Sequence, residues 1–323
     1  MTILAGVDIG GTKCAVCVAS VAASTVRLLD KRQFPTPTGP GPVLAAVRRE
    51  LEALAAEQGA TVSAIGITCG GPLDSRRGLI LSPPNLPNWD GIDVVTPFRE
   101  QFGVPVGLQN DANACALAEW QWGAGRGCNN MIFLTFGTGM GAGLILDGRL
   151  YSGANNLAGE VGHIRLADYG PVGYGKIGSF EGFCSGGGIA RLAQMYAEME
   201  LQMGRSPSFC ATWDDLPGIT AEKVGLAAQT GDELALKVFA VVGRQLGRGL
   251  AILVDILNPE RVVIGSIYSR QRAILEPIVL QTLAEEALPM ALSVCQIVPA
   301  GLGESVGDYA SLAVAMDIQR GSP

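Results

Sequence analysis

The sequence predicts an α/β protein made of two related halves that face a cleft. This prediction rests on residues 3–19 and 131–150, which both have the pattern of a strand, a turn rich in Gly and Thr, and a second strand. Composition agrees with two domains, because a chain of 323 residues that is 48% hydrophobic and 16% charged can form two apolar cores.

The N-terminal half alternates short apolar strands with helical patterns. Its predicted elements are strands at 3–9 and 13–19, a helix at 43–58, strands at 64–68 and 104–108, and a helix from Asn110-Asp111 to about Trp122. Gly59 directly follows the first of these helices. Glycine is favoured there because it adopts a positive φ without steric cost.

The C-terminal half repeats the hairpin and then becomes mostly helical. Its predicted elements are strands at 130–136 and 142–146, helices at 189–203 and 233–257, strands at 261–264 and 294–299, and a closing helix at 309–318. The hairpin turns a second time at Asp147-Gly148, a dipeptide typical of tight β-turns.

The first hairpin has the composition of a phosphate-binding loop. Gly10 and Gly11 let backbone N–H groups approach phosphate oxygens, Thr12 adds a hydroxyl and Lys13 a positive charge. Asp8, at the end of the strand, is placed to orient Mg²⁺ or its water shell. The alternative is an ordinary β-hairpin turn.

The second hairpin repeats this chemistry at Gly137, Thr138 and Gly139. An ordinary Gly-rich turn is again the alternative, but two such turns in one chain favour nucleotide binding. The sequence has neither a Walker A motif nor GxGxxG after the first strand, which disfavours a P-loop protein and a dinucleotide enzyme.

Asp111 is the candidate catalytic base. A carboxylate near the start of a helix can orient an attacking hydroxyl and accept its proton late in phosphoryl transfer. The alternative is a plain helix cap, a role that would lower the pKa of the carboxyl.

Four polar residues are candidates for binding sugar hydroxyls: Asn85, Glu160, His163 and Glu181. His163 is the only histidine of the chain. The alternative interpretation is that His163 has a purely structural role. Its position beside glycines and near Glu160 favours a ligand-facing loop instead. The alternative for Asn85 is a turn-forming asparagine.

Charge and hydropathy argue against a nucleic-acid-binding, secreted or membrane protein. The net charge of −7 and the lack of a basic patch argue against nucleic-acid binding. The first ten residues lack the features of a signal peptide, and the longest apolar run, near 250–257, contains Asp255. We therefore predict a cytoplasmic protein with no membrane partner. Cys14 and Cys17 form a CxxC, but on a strand they face opposite sides, which argues against a shared metal or an easy disulfide.

Five motifs together resemble the ROK group of bacterial sugar kinases and repressors, within the actin and hexokinase superfamily. They stand in family order along essentially the whole chain: DIGGTK at 8–13, NLPNW at 85–89, NDANACALAE at 110–119, TFGTGMGAG at 135–143 and AGEVGH at 158–163. The resemblance implies a two-domain actin-like ATPase (ribonuclease H-like) fold with an interdomain cleft. It implies a small α/β domain at 1–111, completed by a helix at about 309–323, and a larger α/β domain at 112–308.

The resemblance also implies an activity, ATP-dependent phosphorylation of a hexose or N-acetylhexosamine, with Mg²⁺ brought by ATP. Asp111 matches the family's catalytic base, and the positions that match its sugar contacts are Gly71, Asn85, Asn110, Glu160, His163 and Glu181. The phosphate loops match at Gly10–Thr12 and Gly137–Gly139. Gly265 falls where the family has an adenosine-binding glycine pair, but the second member here is Ser266. A homodimer is a further implication.

One departure from the family concerns its zinc motif. The three thiol positions fall on Val172, Tyr174 and Ser179, while Glu181 is retained. A structural zinc site needs four ligands, and His163 with the nearby Cys184 supplies too few. We therefore predict no structural zinc, and we expect Val172, Tyr174 and Phe180 to fix this segment by burial.

The sequence leaves three alternative functions. A ROK-type repressor is disfavoured because only seven residues precede Asp8, where such proteins have a helix-turn-helix domain. A non-catalytic sugar-binding or sensing protein is the main alternative, given the altered zinc segment. A chaperone-like ATPase is disfavoured by Glu160, His163 and Glu181, because a chaperone needs no sugar pocket.

Overall fold

A computed structural model of the chain describes residues 2–22 and 25–321, without the side chain of residue 304. The strands in these residues are β1 (Thr2–Ile9), β2 (Lys13–Ala22), β3 (Thr25–Pro35), β4 (Ala64–Cys69), β5 (Leu73–Asp74), β6 (Leu79–Leu81), β7 (Asp90–Asp93), β8 (Val106–Asn110), β9 (Met131–Phe136), β10 (Met140–Leu146), β11 (Arg149–Tyr151), β12 (Val172–Gly173), β13 (Lys176–Ile177), β14 (Arg261–Ile264) and β15 (Gln296–Pro299).

The helices in the same residues are α1 (Pro40–Glu57), α2 (Thr96–Phe102), α3 (Asp111–Trp122), α4 (Phe180–Phe183), α5 (Gly186–Gln202), α6 (Ala221–Gln229), α7 (Glu233–Leu257), α8 (Ile267–Arg270), α9 (Arg272–Glu286), α10 (Pro289–Leu292) and α11 (Val306–Gln319). Helix α1 ends just before Gly59, whose φ of 57° is left-handed, as predicted. None of the helices in residues 2–22 and 25–321 combines the length and apolar character needed to cross a bilayer.

Two five-stranded sheets share one strand order. The first runs β3-β2-β1-β4-β8 and the second β11-β10-β9-β14-β15. In the first sheet, β1 pairs antiparallel with β2 and parallel with β4. In the second, β10 and β11 pair antiparallel and β14 and β15 pair parallel. The α/β class and the repeated hairpin predicted from the sequence are confirmed.

The chain divides into two compact units. Unit 1 contains residues 1–133, 143–158 and 301–323, and unit 2 contains residues 134–142 and 159–300. The candidate residues Asp8 to Lys13, Asn85, Asn110 and Asp111 belong to unit 1. Gly137 to Gly139, Glu160, His163, Glu181 and Gly265 belong to unit 2.

The first sheet has an apolar layer on each face. Cys14 and Val16 belong to a buried cluster with helix α1, whereas Cys17 and Ala19 belong to a second cluster with helix α11. The alternation follows the period of two of a strand. It places the two thiols of the CxxC on opposite faces of the sheet, as predicted.

Helix α11 lies on a row of glycines that crosses three strands. Gly6, Gly66 and Gly107 are paired neighbours on β1, β4 and β8. A β-carbon at Gly66 would overlap the main-chain oxygen of Ser311 and lie 2.5 Å from Ala315 N. The absence of side chains therefore lets the backbone of α11 approach the sheet at Ser311 and Ala315.

Replacing Gly66 with alanine is expected to lower the free energy of unfolding by about 1–3 kcal/mol, because the added methyl group overpacks the α11 contact. Urea denaturation measures the change. Gly41→Ala is the matched control, since a β-carbon there has no neighbour within 4 Å. Equal denaturation midpoints for Gly66→Ala and the wild type would contradict the close packing.

Candidate active site

A recess of about 190 Å³ lies at the ends of the first sheet in unit 1. Its lining combines predicted phosphate-loop and sugar-site residues: Asp8, Ile9, Gly10, Thr68, Gly70, Pro83, Asn85, Leu86, Asp111, Cys115, Gly307 and Ala310. Strands β1, β4 and β8 are parallel neighbours, so their carboxyl ends meet at this edge. The last two lining residues come from helix α11.

Asp111 is the first residue of α3, but it does not cap the helix. The N-cap is Asn110, whose side-chain Oδ1 accepts a hydrogen bond from Asn113 N at 2.8 Å. The Asp111 carboxylate therefore has no capping role, and Asp111 lines the recess. Desolvation by the surrounding protein, together with the charge of Asp8, raises the pKa of Asp111 to about 6. The capping alternative required a lowered pKa, and it is wrong.

Asp8 is the next-to-last residue of strand β1, and its carboxylate is held by a hydrogen bond. Its Oδ1 accepts a hydrogen bond from Thr68 Oγ1 at 2.9 Å. Burial raises the pKa of Asp8, while the Thr68 hydroxyl and the charges of Lys31 and Lys13 oppose that rise. The recess thus contains two carboxylates, of which Asp8 is partly buried and Asp111 is open to solvent and to a ligand, an arrangement suited to a divalent cation or a transferred proton.

Asn85 lies across the recess from Asp111. A β-carbon at Gly70 would lie 4.0 Å from both Asn85 Nδ2 and Asp111 Oδ2, so the amide and the carboxylate converge over that glycine. Gly11 packs on Asn85 from the other side, where a β-carbon would lie 2.8 Å from the β-carbon of Asn85. Gly71, the predicted sugar contact, is exposed and follows the glycine that lines the recess.

The tip of the first hairpin is exposed at Gly11, Thr12 and Lys13. Gly10 is fixed on both sides, since its N–H donates to Lys13 O and its carbonyl accepts from Thr36 Oγ1 at 2.6 Å. Asp8 and Lys13 also line a neighbouring recess of about 350 Å³. The hairpin therefore places a carboxylate and an ammonium group close to the same glycines.

Unit 2 contains a larger pocket of about 830 Å³, within the range of small-molecule and cofactor sites. Its lining residues are Gly137, Thr138, Gly186, Gly187, Ala190, Ile219, Thr220, Ala221, Glu222, Leu226, Gln229, Ser266, Ile267, Arg270 and Gln271. Gly137 and Thr138 were predicted from the second hairpin. The others come from helices α5, α6 and α8 and their flanking loops.

The start of α5 is the main feature of this pocket that the sequence reasoning missed. Ser185 caps the helix through a hydrogen bond to Gly188 N at 3.0 Å, and Gly186 N donates to Gly137 O at 2.7 Å. The 17-residue helix therefore begins directly against the glycine hairpin. A helix N-terminus beside a Gly/Thr turn favours an anionic group such as phosphate. Ser-Gly-Gly-Gly at 185–188 was the available signal.

Ser266, rather than the predicted Gly265, lines the pocket. Gly265 is buried, and its N–H donates to Leu134 O at 3.0 Å. Ser266 has a φ of 55° and a ψ of −113°, a conformation that is strained for any residue with a β-carbon. The backbone here keeps the shape of a glycine although the side chain is serine.

Ser266→Gly is expected to raise the free energy of unfolding by about 1 kcal/mol, because the relief of backbone strain exceeds the entropy that glycine adds to the unfolded chain. Thermal denaturation measures the gain. Ser266→Ala is the control, since it removes the hydroxyl and keeps the strain. A lower melting temperature for the glycine variant than for the alanine variant would contradict this reading.

Glu160, His163 and Glu181 have different surroundings. Glu160 and His163 are exposed, at and after the start of a 3-10 turn at Val161–His163. Glu181 is partly buried, and its Oε2 accepts a hydrogen bond from Met140 N at 3.1 Å. Glu181 therefore supports the strand after the second glycine turn, while Glu160 and His163 are available to a ligand.

The segment that replaces the zinc motif is not fixed in the way we expected. Phe180 is fully buried and packs against Gly249 of α7, as predicted. Val172 is 40% exposed and Tyr174 is 82% exposed, so the prediction that these two are buried is wrong. The segment closes through main-chain hydrogen bonds instead, including Gly178 N to Pro171 O at 3.1 Å.

The reason that Tyr174 is exposed is its place in a tight turn. β12 and β13 are joined by Tyr174 and Gly175, with φ values of 44° and 74°. Two successive positive φ values are typical of a two-residue hairpin turn, which projects its first side chain away from the strands. Asn, Asp or Gly is the usual residue there, and a tyrosine costs roughly 1–2 kcal/mol.

Known proteins resemble this chain along nearly its full length. The sequence model of the ROK family matches residues 4–317. The glucokinase of Streptomyces coelicolor is 33% identical over 281 residues, which is 86% of each chain. The N-acetylmannosamine kinase of Shigella flexneri is 33% identical over 266 residues, 82% of each chain.

A solved structure agrees with these relatives. The ROK family glucokinase from Streptomyces griseus, in complex with glucose and AMPPNP, superposes with a TM-score of 0.74 at 29% identity, covering 99% of this chain and 100% of its own. The actin-like ATPase fold predicted from the sequence is confirmed. The chain belongs to the ROK family.

Proposed function

We propose that the protein transfers the γ-phosphoryl group of ATP to a hydroxyl of a hexose or N-acetylhexosamine, with Asp111 as the base. The single observation that carries this proposal is that the Asp111 carboxylate does not cap helix α3 and has a raised pKa. Asn110 takes over the capping of α3, and the recess raises the pKa of Asp111 to about 6. A carboxylate with this pKa is ionised at pH 7 and is a stronger base than an ordinary aspartate.

In the proposed reaction Asp111 accepts the proton of the attacking hydroxyl as the bond to phosphorus forms. Phosphoryl transfer needs accurate placement of the hydroxyl more than a strong base. Asn85 Nδ2 lies near Asp111 over Gly70, so it can donate a hydrogen bond to the same sugar. Asn110 uses Oδ1 to cap the helix, which leaves its amide N–H groups for a sugar oxygen.

Within unit 2, we assign Glu160 and His163 to sugar hydroxyls. Both side chains are exposed, and each can exchange hydrogen bonds with a hydroxyl group. Glu181 has one oxygen committed to Met140 N, so its free oxygen is the one that can take part. The identity of two relatives as a glucokinase and an N-acetylmannosamine kinase supports this acceptor class.

The nucleotide is assigned to the 830 Å³ pocket of unit 2. The polar end of the pocket, at Gly137, Thr138 and the start of α5, suits phosphate groups. Gly10, Gly11, Thr12 and Lys13 are assigned to phosphate in unit 1. The nucleotide analogue AMPPNP in the Streptomyces griseus glucokinase supports this use of ATP.

The residues present fit Mg²⁺ delivered with ATP. Among residues 2–22 and 25–321, no three His, Cys, Asp or Glu side chains cluster as a metal site. Mg²⁺ bound with a nucleotide needs only one or two carboxylates in addition to phosphate oxygens and water. Asp8 would hold the ion, which would supply charge neutralisation at the phosphoryl group.

A coupled assay of ADP release over a panel of sugars tests the proposal and identifies the acceptor. Glucose, fructose, allose, N-acetylglucosamine and N-acetylmannosamine form the panel, with ATP and Mg²⁺ in excess. We expect one or two of them to stimulate ADP release strongly. ADP release at the same low rate with every sugar and without sugar would refute the kinase assignment.

The alternative is a non-catalytic sugar sensor. The observation in its favour is the changed segment, in which Val172, Tyr174 and Ser179 occupy the thiol positions of the family's zinc motif. A sensor would bind one member of the same panel without releasing ADP. Calorimetric titration of each sugar, run beside the coupled assay, separates the two functions.

A further inference from the structure

The hairpin formed by β12 and β13 contacts His163 at two places. The rings of His163 and Tyr174 meet edge to face, with 6.4 Å between centroids and 80° between planes. Lys176 Nζ donates a hydrogen bond to the main-chain oxygen of His163 at 2.7 Å. The hairpin therefore contacts both the ring and the backbone of the one histidine in the chain.

Core packing does not account for Tyr174. Its side chain is 82% exposed, and it occupies the first turn position with a φ of 44°, where a smaller residue would fold with less strain. Strained residues persist where surrounding structure or function requires them. The contact with His163 is the one ring contact that Tyr174 makes among the residues the structure describes.

An exposed imidazole without such a contact samples several rotamers, and a ligand that needs one of them must restrict the others. Edge-to-face contact with an aromatic ring favours one orientation of the imidazole. The hydrogen bond from Lys176 holds the backbone from which the ring projects. The two contacts together hold the backbone at His163 and favour one orientation of its ring before a ligand arrives.

We propose that Tyr174 is a positioning residue, which holds the His163 ring in the orientation that binds a sugar hydroxyl. This inference rests on the proposed sugar-kinase function. Tyr174 acts through His163, so its ring and not its hydroxyl is the required part.

Three variants test the proposal by kinetics. Tyr174→Ala is expected to raise the KM for the sugar about two- to tenfold, the cost of ordering one freed side chain, with little change in kcat or in the KM for ATP. Tyr174→Phe keeps the ring and is expected to restore the wild-type KM. Tyr169→Ala is the matched control, because Tyr169 is also 82% exposed and lies in the same loop.

NMR of the imidazole supplies a readout that does not depend on activity. With one histidine in the sequence, protein without a His tag gives a single pair of imidazole C–H signals that needs no assignment. Tyr174→Ala is expected to shift these signals through loss of the ring current, whereas Tyr169→Ala and Tyr174→Phe leave them close to the wild-type positions.

Unchanged imidazole signals in Tyr174→Ala would overturn the contact. Shifted signals with an unchanged sugar KM would overturn the positioning role, as would a Tyr174→Phe variant as impaired as Tyr174→Ala. Failure of the proposed function looks different, because the wild type would then phosphorylate no sugar of the panel. In that event a sugar titration followed at the imidazole signals decides whether Tyr174 positions His163 for binding alone.

Discussion

Asp111→Asn is expected to lower kcat by about 10²- to 10⁴-fold, the range that general-base catalysis supplies. Asparagine has nearly the same shape, and Asn110 retains the capping hydrogen bond to Asn113 N, so helix α3 should form as before. The variant loses the group that accepts the hydroxyl proton. Steady-state kinetics with the best sugar of the panel measures the loss.

The control for this variant is Asp90→Asn, which removes an exposed carboxylate of the same unit. It should leave kcat unchanged. Calorimetry should show that Asp111→Asn still binds the sugar. A variant that keeps more than about a tenth of the wild-type kcat would contradict the role of Asp111, because general-base catalysis usually contributes more than that.

The pH dependence of the wild type follows from the same carboxyl. Asp111 acts in its ionised form, and its pKa is raised to about 6. The value of kcat/KM for the sugar should therefore rise with pH through about 6 and level off above it. An ordinary aspartate, with a pKa near 4, would give full activity at pH 5.

Asp8→Asn is expected to lower kcat by about 10²-fold or more, since charge stabilisation by a metal ion at phosphate is worth several kcal/mol. Asparagine can still accept the hydrogen bond from the Thr68 hydroxyl, so the end of β1 should keep its structure. The loss of the carboxylate should also raise the Mg²⁺ concentration needed for half-maximal activity.

The residual activity of Asp8→Asn should have a shifted pH profile. The charge of Asp8 is one cause of the raised pKa of Asp111. Removing that charge lowers the pKa of Asp111, so the acid limb of kcat/KM should move to lower pH. A variant with kcat within threefold of the wild type and an unchanged Mg²⁺ requirement would contradict the role of Asp8.

The strands and the two hairpins could be predicted because their signals are local. Short apolar runs predict four strands of each sheet, and Gly59 marks the end of α1. The edge strands β3 and β11 were not predicted. The position of helix α11 on the first sheet could not be predicted. It depends on Gly6, Gly66 and Gly107, which are far apart in sequence and become neighbours only when β1, β4 and β8 pair.

The candidate site was predictable where reactive side chains lie near the end of a strand. Asp8 and Asp111 each stand at the end of a strand or the start of a helix, and parallel pairing brings them to one recess. The sequence left open whether Asp111 caps α3, because aspartate is common at helix N-caps. Side-chain geometry assigns the cap to Asn110.

The prediction from the sequence was wrong for Tyr174, because a tyrosine is found both in buried and in exposed positions. An aromatic residue in place of a thiol suggested burial, but a positive φ in the turn at Tyr174 and Gly175 directs the ring to the surface. The start of α5 was missed because the predicted helix began only at residue 189, although the helix starts at Gly186 and is capped by Ser185.

Phosphorus-31 NMR of the complete reaction tests the central claim most directly. ATP, Mg²⁺ and the best sugar of the panel are incubated with the protein, and the products are followed with time. We expect ADP and a sugar phosphate to appear in equal amounts with the wild type, and neither to appear above background with Asp111→Asn. ADP with inorganic phosphate and no sugar phosphate would show an ATPase, and unchanged ATP beside a sugar that binds would show a sensor. Either result would contradict the account.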